Sequence, residues 1–138
     1  MLRVLLDTNV LISALISKGK PRTLLRQAYK NKFMLILSIE ILNEFINVAS
    51  REYFQEYVDE REIAEFTRAL ASLAHFIIIK SNFEVIKEDP DNDIVLRTAY
   101  DGKAEYIVTG DKHLLALKEF RELKIITIGE MLELLQNK

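Results

Sequence analysis

The sequence predicts an α/β protein, with a five-stranded parallel sheet covered by helices on both sides. Three observations predict it. Short apolar runs recur at residues 3–6, 33–37, 76–79, 106–109 and 124–127. The opening run is continuously apolar, the pattern of a strand buried on both faces of a parallel sheet. Between the runs lie segments of about ten residues whose apolar positions repeat at helical spacing, and strands alternating with such helices make parallel crossover units. Right-handed crossovers then place every strand's carboxyl end on one edge of the sheet.

The elements follow in order. The first run stops at Asp7-Thr8-Asn9, and Val10, Leu11, Ala14 and Leu15 then mark a helix. Ser17-Lys18-Gly19-Lys20-Pro21 is a loop ending in a Pro suited to a helix's first turn. Leu24, Leu25 and Ala28 share one face of a helix over 22–30. After the second strand, Ser38 is the N-cap of a long helix reaching Ala49. Residues 51–58 are aromatic and charged, and a helix or a turn-rich link fits them equally. Ile63, Phe66, Ala69, Leu70 and Leu73 define a helix over 59–74, which leads into the third strand. The polar break Lys87-Glu88-Asp89-Pro90-Asp91-Asn92-Asp93 opens a helix carrying Val95, Leu96, Ala99 and Tyr100, with Gly102 as its stop. The fourth strand ends in Gly110-Asp111, and a short helix over 112–117, the fifth strand and a helix over 130–135 complete the chain.

A length of 138 residues suits one domain spanning 1–138, with a hydrophobic fraction of 49% and a charged fraction of 29% typical of a soluble globular chain. No apolar run approaches the ~20 residues of a membrane span. The first seven residues combine one Arg with an acid, unlike a signal peptide. The absence of cysteine excludes disulfides and thiolate metal sites and points to the cytoplasm. A net charge of −2 carries no general nucleic-acid footprint, although carboxylates around a metal would mask a basic rim.

The carboxylates are the chemistry-bearing pattern. Asp7 and Asp111 both follow apolar strands and precede helices, so they fall on the same sheet edge, where open α/β sheets bind ligands. Each also reads as an ordinary N-cap. Thr109 points to the same side as Asp111, two residues on in extended chain. Asp93 lies in the first turn of a helix that starts at that edge. Glu44 falls beside Val48 at the border of its helix's apolar arc, so it is either an edge residue reaching water or an acid aimed at a partner. Converging carboxylates repel and take up protons unless a cation is present. Oxygen donors without Cys suit Mg²⁺ or Mn²⁺. Such an ion activates water and steadies the charge of a phosphodiester transition state.

Leu5-Leu6-Asp7-Thr8-Asn9-Val10-Leu11 resembles the start of a PIN domain. Ser38-Ile39-Glu40-Ile41-Leu42-Asn43-Glu44-Phe45 resembles that family's second acidic motif, in which the later Glu is the functional one. Asp93, eighteen residues before Asp111, with Ile107-Val108-Thr109-Gly110-Asp111, is similar to the family's paired third and fourth acids. The resemblance implies a three-layer α/β/α sandwich around a five-stranded parallel sheet, and a metal-dependent ribonuclease acting on RNA. It places Asp7, Glu44, Asp93 and Asp111 around Mg²⁺ or Mn²⁺, with Asn9 and Thr109 as supporting polar residues. Small stand-alone members resemble VapC-type toxins, which implies a homodimer and a small antitoxin protein as partner.

Alternatives stay open within this frame. Asp89 and Asp91 crowd Asp93, which is preferred for its separation from Asp111; acids two apart on a helix do not share a face. Lys112 and His113 stand where many members carry another acid or Asn, which leaves one metal ion or two. Lys18, Lys20, Arg22 and Arg97 are either a phosphate-steering rim or ordinary solvated cations. Tyr53, Phe54 and Tyr57 either pack a core or dimer face or stack on bases. His113 is a phosphate contact or a structural residue, and His75 reads as structural. A non-catalytic binding module of the same fold is the competing function.

Overall fold

The computed structural model describes residues 1–137. Strand β1 (Arg3–Leu6) forms the middle of the sheet, with Val4, Leu5 and Leu6 wholly buried. It is flanked by β2 (Met34–Leu37) on one side and β4 (Tyr106–Val108) on the other, both parallel to it. Outside these stand β3 (His75–Phe76) and β6 (Leu123–Ile126), again parallel, and a last strand, β5 (Glu119–Phe120), pairs antiparallel with β6. The sheet order is β3-β2-β1-β4-β6-β5. Each expected strand has its place there, but among the described residues the sheet has six strands rather than five and is not wholly parallel.

The additional strand arises from a turn the sequence does not advertise. Arg121 and Glu122, the two residues joining β5 to β6, have φ of 48° and 76°, and Lys118 before them has 62°. Tight two-residue hairpins want such left-handed positions, and Gly or Asn ordinarily supply them. Here the Arg121 guanidinium lies 4.9 Å from the Phe83 ring, 5.1 Å from Tyr100 and 5.0 Å from Phe120. Cation–π attraction of this kind offsets the backbone strain.

The third strand is also shorter than its apolar run. Ile77 still donates to the Leu37 carbonyl (2.8 Å), but Ile78 is 80% exposed and the chain beyond has no regular structure until α5 (Pro90–Asp101). Among the described residues no further strand lies outside β3, so β-branched residues alone do not extend the ladder. The irregular segment is held instead by one face of α5. Asp93 accepts from the Val85 and Ile86 N–H groups, Arg97 donates to the Phe83 carbonyl, and Asp101 accepts from the Lys80 and Ser81 N–H groups. These three residues recur every fourth position, the spacing of a single helix face.

The remaining helices are α1 (Thr8–Ile16), α2 (Lys20–Tyr29), α3 (Ile39–Ala49), α4 (Glu60–Leu73), α6 (Lys112–Leu117) and α7 (Ile128–Gln136). Their starts follow sequence chemistry. Ser38 caps α3, and Asp59 and Thr127 form capping boxes with Glu62 and Glu130. Helix α1 packs on α2 and α3, α3 on α4 and α2 on α7, whereas α5 packs on β1 and β2 and α6 on β6. The chain runs from β1 outwards to β3, then returns through α5 to β4 on the other side of β1. That reversal makes the carboxyl ends of β1 and β4 the switch point, where α/β sheets open a crevice.

Gly102 does end α5, but not as a left-handed cap, since its φ is −83°. A Cβ there would lie 2.7 Å from Ile36 Cγ2, 2.8 Å from Ile77 Cγ1 and 2.9 Å from the Thr98 carbonyl. Close packing on β2 demands the glycine. Arg22 is likewise structural: it donates to the Ala14 and Leu15 carbonyls (2.9 and 2.7 Å) and so closes the end of α1.

Candidate metal centre at the β1–β4 switch point

Asp7 sits where β1 turns into α1. Its N–H continues the ladder to the Val108 carbonyl (3.0 Å), and its side chain is almost wholly buried. One carboxylate oxygen accepts from the Thr8 N–H and the other from the Thr109 hydroxyl, each at 2.7 Å. Burial pushes the Asp7 carboxyl above the ordinary range. Those two hydrogen bonds work against the shift, and the charges of Asp111 and Asp89 add to it. The buried Thr8 hydroxyl beside it has no hydrogen-bond partner among the described residues.

Thr109 couples the two strand ends. Its oxygen donates to Asp7 and accepts from the Asp111 N–H at 3.0 Å. Asp111 caps α6 through Oδ1, which accepts from the His113 and Leu114 N–H groups at 2.8 and 3.1 Å. The same oxygen accepts from Asn92 Nδ2 at 3.1 Å. Asn92 is a buried residue of α5 that sequence reasoning did not single out. The available signal was periodicity, because Asn92, Val95, Leu96 and Ala99 share one helical face, and a polar residue on a buried face needs a partner.

Glu44, half-buried on α3, is pushed up to about 7. Burial is the main cause, followed by the negative charges of Asp91, Asp7 and Asp89, with Arg51 pulling the other way. Glu44 therefore senses the acids of the α5 start and of β1 together. The acids that act on Glu44 from the α5 start are Asp91, which is exposed, and Asp89, the helix cap. Asp93 is buried, and its Oδ1 accepts from the Val85 and Ile86 N–H groups at 2.9 Å. Asn9 is exposed in the first turn of α1, as are Lys18, Lys20 and His113 elsewhere. Arg97 is taken up by the Phe83 carbonyl.

Among the described residues, no three His, Cys, Asp or Glu side chains already stand in a metal-ligating arrangement. The chemistry of the donors nevertheless fits a hard cation. Asp7 and Glu44 are acids whose charged forms are disfavoured by burial and by each other's neighbours. A divalent ion reverses that penalty, and an oxygen-only set of donors suits a hard cation.

The sequence model of the PIN domain family matches residues 3–113 of the chain. The chain belongs to the PIN domain family. The match runs from β1 into α6 and so includes Asp7, Glu44, Asn92, Thr109 and Asp111. PIN domains are generally nucleases that use divalent metal ions, which supports a hydrolytic action on nucleic acid. An uncharacterized protein of Methanocaldococcus jannaschii is 35% identical over 130 residues, covering 92% of this chain and 83% of the relative. Among the described residues of this PIN protein, no helix is long and apolar enough to cross a membrane.

Proposed function

We propose that this PIN protein is a cytoplasmic, Mg²⁺- or Mn²⁺-dependent endoribonuclease, the toxin component of a toxin–antitoxin pair. The observation that carries the nuclease reading is the meeting of Asp7 and Asp111 across the Thr109 hydroxyl at the β1–β4 switch point, with the charges of Asp91, Asp7 and Asp89 acting on Glu44. Asp7, Glu44 and Asp111 would hold the ion, with Asp91 in the position that separation in sequence gives to Asp93. The bound ion supplies an activated water and charge stabilisation at the scissile phosphate.

The chain's own residues set the geometry. Thr109 fixes Asp7 through Oδ2, and Asn92 fixes Asp111 through Oδ1. These hydrogen bonds orient both acids before any ion arrives, which favours a preorganised site. Asn9, exposed in the first turn of α1 two residues after Asp7, would be a supporting polar residue there.

A short single-stranded RNA incubated with the full chain tests the reading. Cleavage is expected with Mg²⁺ or Mn²⁺ and none with chelator, and Asp7→Asn is expected to lower the rate at least a hundredfold. Undiminished cleavage by Asp7→Asn rejects the mechanism. Mn²⁺ binding without any cleavage favours the non-catalytic module instead. A homodimer is supported by the apolar rim of Ile39, Phe76 and Ile78, which are 56%, 40% and 80% exposed. Light scattering reports its mass directly, and copurification with the product of a neighbouring reading frame tests for the antitoxin.

A further inference from the structure

We infer that Arg51, Tyr53 and Tyr57 form a stacking subsite for single-stranded RNA beside the acid cluster. The inference rests on the nuclease reading and adds to it where the substrate chain lies. At the end of α3 the Ser50 N–H donates to Ile46 and that of Arg51 to Val48, and the backbone turns extended at Arg51 (ψ 148°). Seven residues, about two helical turns, separate Arg51 from Glu44, so the two lie at most ~10 Å apart along the axis of α3. A long guanidinium side chain spans much of that distance, in keeping with the influence of its charge on Glu44.

Directly after Arg51 the chain makes a tight 3₁₀ turn (Glu52–Phe54). The Gln55 N–H donates to Glu52, and those of Tyr57 and Val58 donate to the Phe54 carbonyl at 2.9 and 3.1 Å. Phe54 packs against the core and Val58 is buried, so the turn is anchored at both ends. Tyr53 and Tyr57 are left out of that packing, at 74% and 58% exposed. The Tyr53 ring meets Phe54 edge-on, 4.9 Å between centroids at 87°. It is splayed from Tyr57 by 43° at 6.3 Å, so neither tyrosine covers the other's face.

Two exposed aromatic faces on an anchored turn that follows a cation in the chain suit nucleobases, which stack on any aromatic face once they are not paired. Glu52 and Glu56, exposed on the same turn, oppose a purely electrostatic attraction of phosphates. Stacking therefore dominates binding here, with a shallow salt dependence.

The test uses the full chain carrying Asp7→Asn, in Mg²⁺, so that bound RNA stays intact. Fluorescence anisotropy follows a fluorescein-labelled oligouridylate and the same strand annealed to oligoadenylate. Tyr53→Ala with Tyr57→Ala is expected to weaken single-strand binding at least tenfold, and Tyr53→Trp with Tyr57→Trp to restore it. Mn²⁺ affinity and sedimentation mass should stay unchanged. Unchanged single-strand affinity overturns the subsite, and a fall in mass together with it assigns the face to a contact between copies. Equal weakening on single and paired strands also overturns it, as does a parent that binds neither. Cleavage of unlabelled RNA by the unsubstituted chain decides the nuclease reading separately.

Discussion

Glu44 and Asp7 hold protons more tightly in the folded chain than carboxylates do in water, and this has a thermodynamic consequence. An unfolded glutamate titrates near 4.5 and folded Glu44 at about 7, so between these pH values the folded state binds more protons. Stability of the metal-free protein therefore falls as pH rises through that window. A shift of this size fully expressed would be ~3 kcal/mol, and solvent screening at a half-buried group reduces it to about 1 kcal/mol. Melting curves at pH 5 and pH 8 should show the decline, and Glu44→Gln should flatten it and raise the melting temperature at pH 8. Asn92 makes a second prediction at this scale. Asn92→Ala removes one of three donors to Asp111 Oδ1 and should cost about 1–2 kcal/mol in denaturant unfolding. It should also weaken Mn²⁺ binding, because Asp111 loses its tether to α5. Asp7, Thr109 and Asp111 were legible in sequence because each follows an apolar run at a strand's carboxyl end. The choice among Asp89, Asp91 and Asp93 is harder to read, because the three follow one another closely and separation in sequence says nothing of orientation. The hydrogen bonds to residues 85–86 are what reveal the direction of Asp93.

At the scale of elements, α5 does three jobs with three faces. Its first turn brings Asp89 and Asp91 towards Glu44, its inner face carries Asn92 with the apolar residues, and Asp93, Arg97 and Asp101 fasten the irregular segment before it. The inner face is readable from apolar periodicity, whereas the fastening face looks like ordinary solvated charge until its backbone partners are known. Hairpin β5–β6 illustrates the same limit, since Arg121 and Glu122 carry none of the residue types that announce a left-handed turn. Gly102 ends α5 as the sequence suggests, but what requires a glycine is the approach of Ile36 and Ile77. Gly102→Ala should therefore destabilise the protein by about 1–3 kcal/mol, the range for forcing a methyl into a packed core. A gain in stability, as expected for an exposed helix end, would contradict that packing account.

For the whole molecule, topology does the work of bringing distant residues together. Asp7 and Asp111 are separated by most of the chain, yet β1 and β4 are neighbours, so their successors meet across the Thr109 hydroxyl. Alternating strands and helices made this visible in advance, because right-handed crossovers leave few ways to order the strands. The convergence of acids is unfavourable for a protein without a cation and explicable for one that binds it. Calorimetric titration with Mn²⁺ near pH 8 tests that claim most directly, on the unsubstituted chain and on Glu44→Gln, Asp91→Asn and Asp93→Asn. The account predicts binding by the unsubstituted chain, at least a tenfold loss in Glu44→Gln and in Asp91→Asn, and retained affinity in folded Asp93→Asn. No binding by the unsubstituted chain, or undiminished binding by Glu44→Gln, would contradict it.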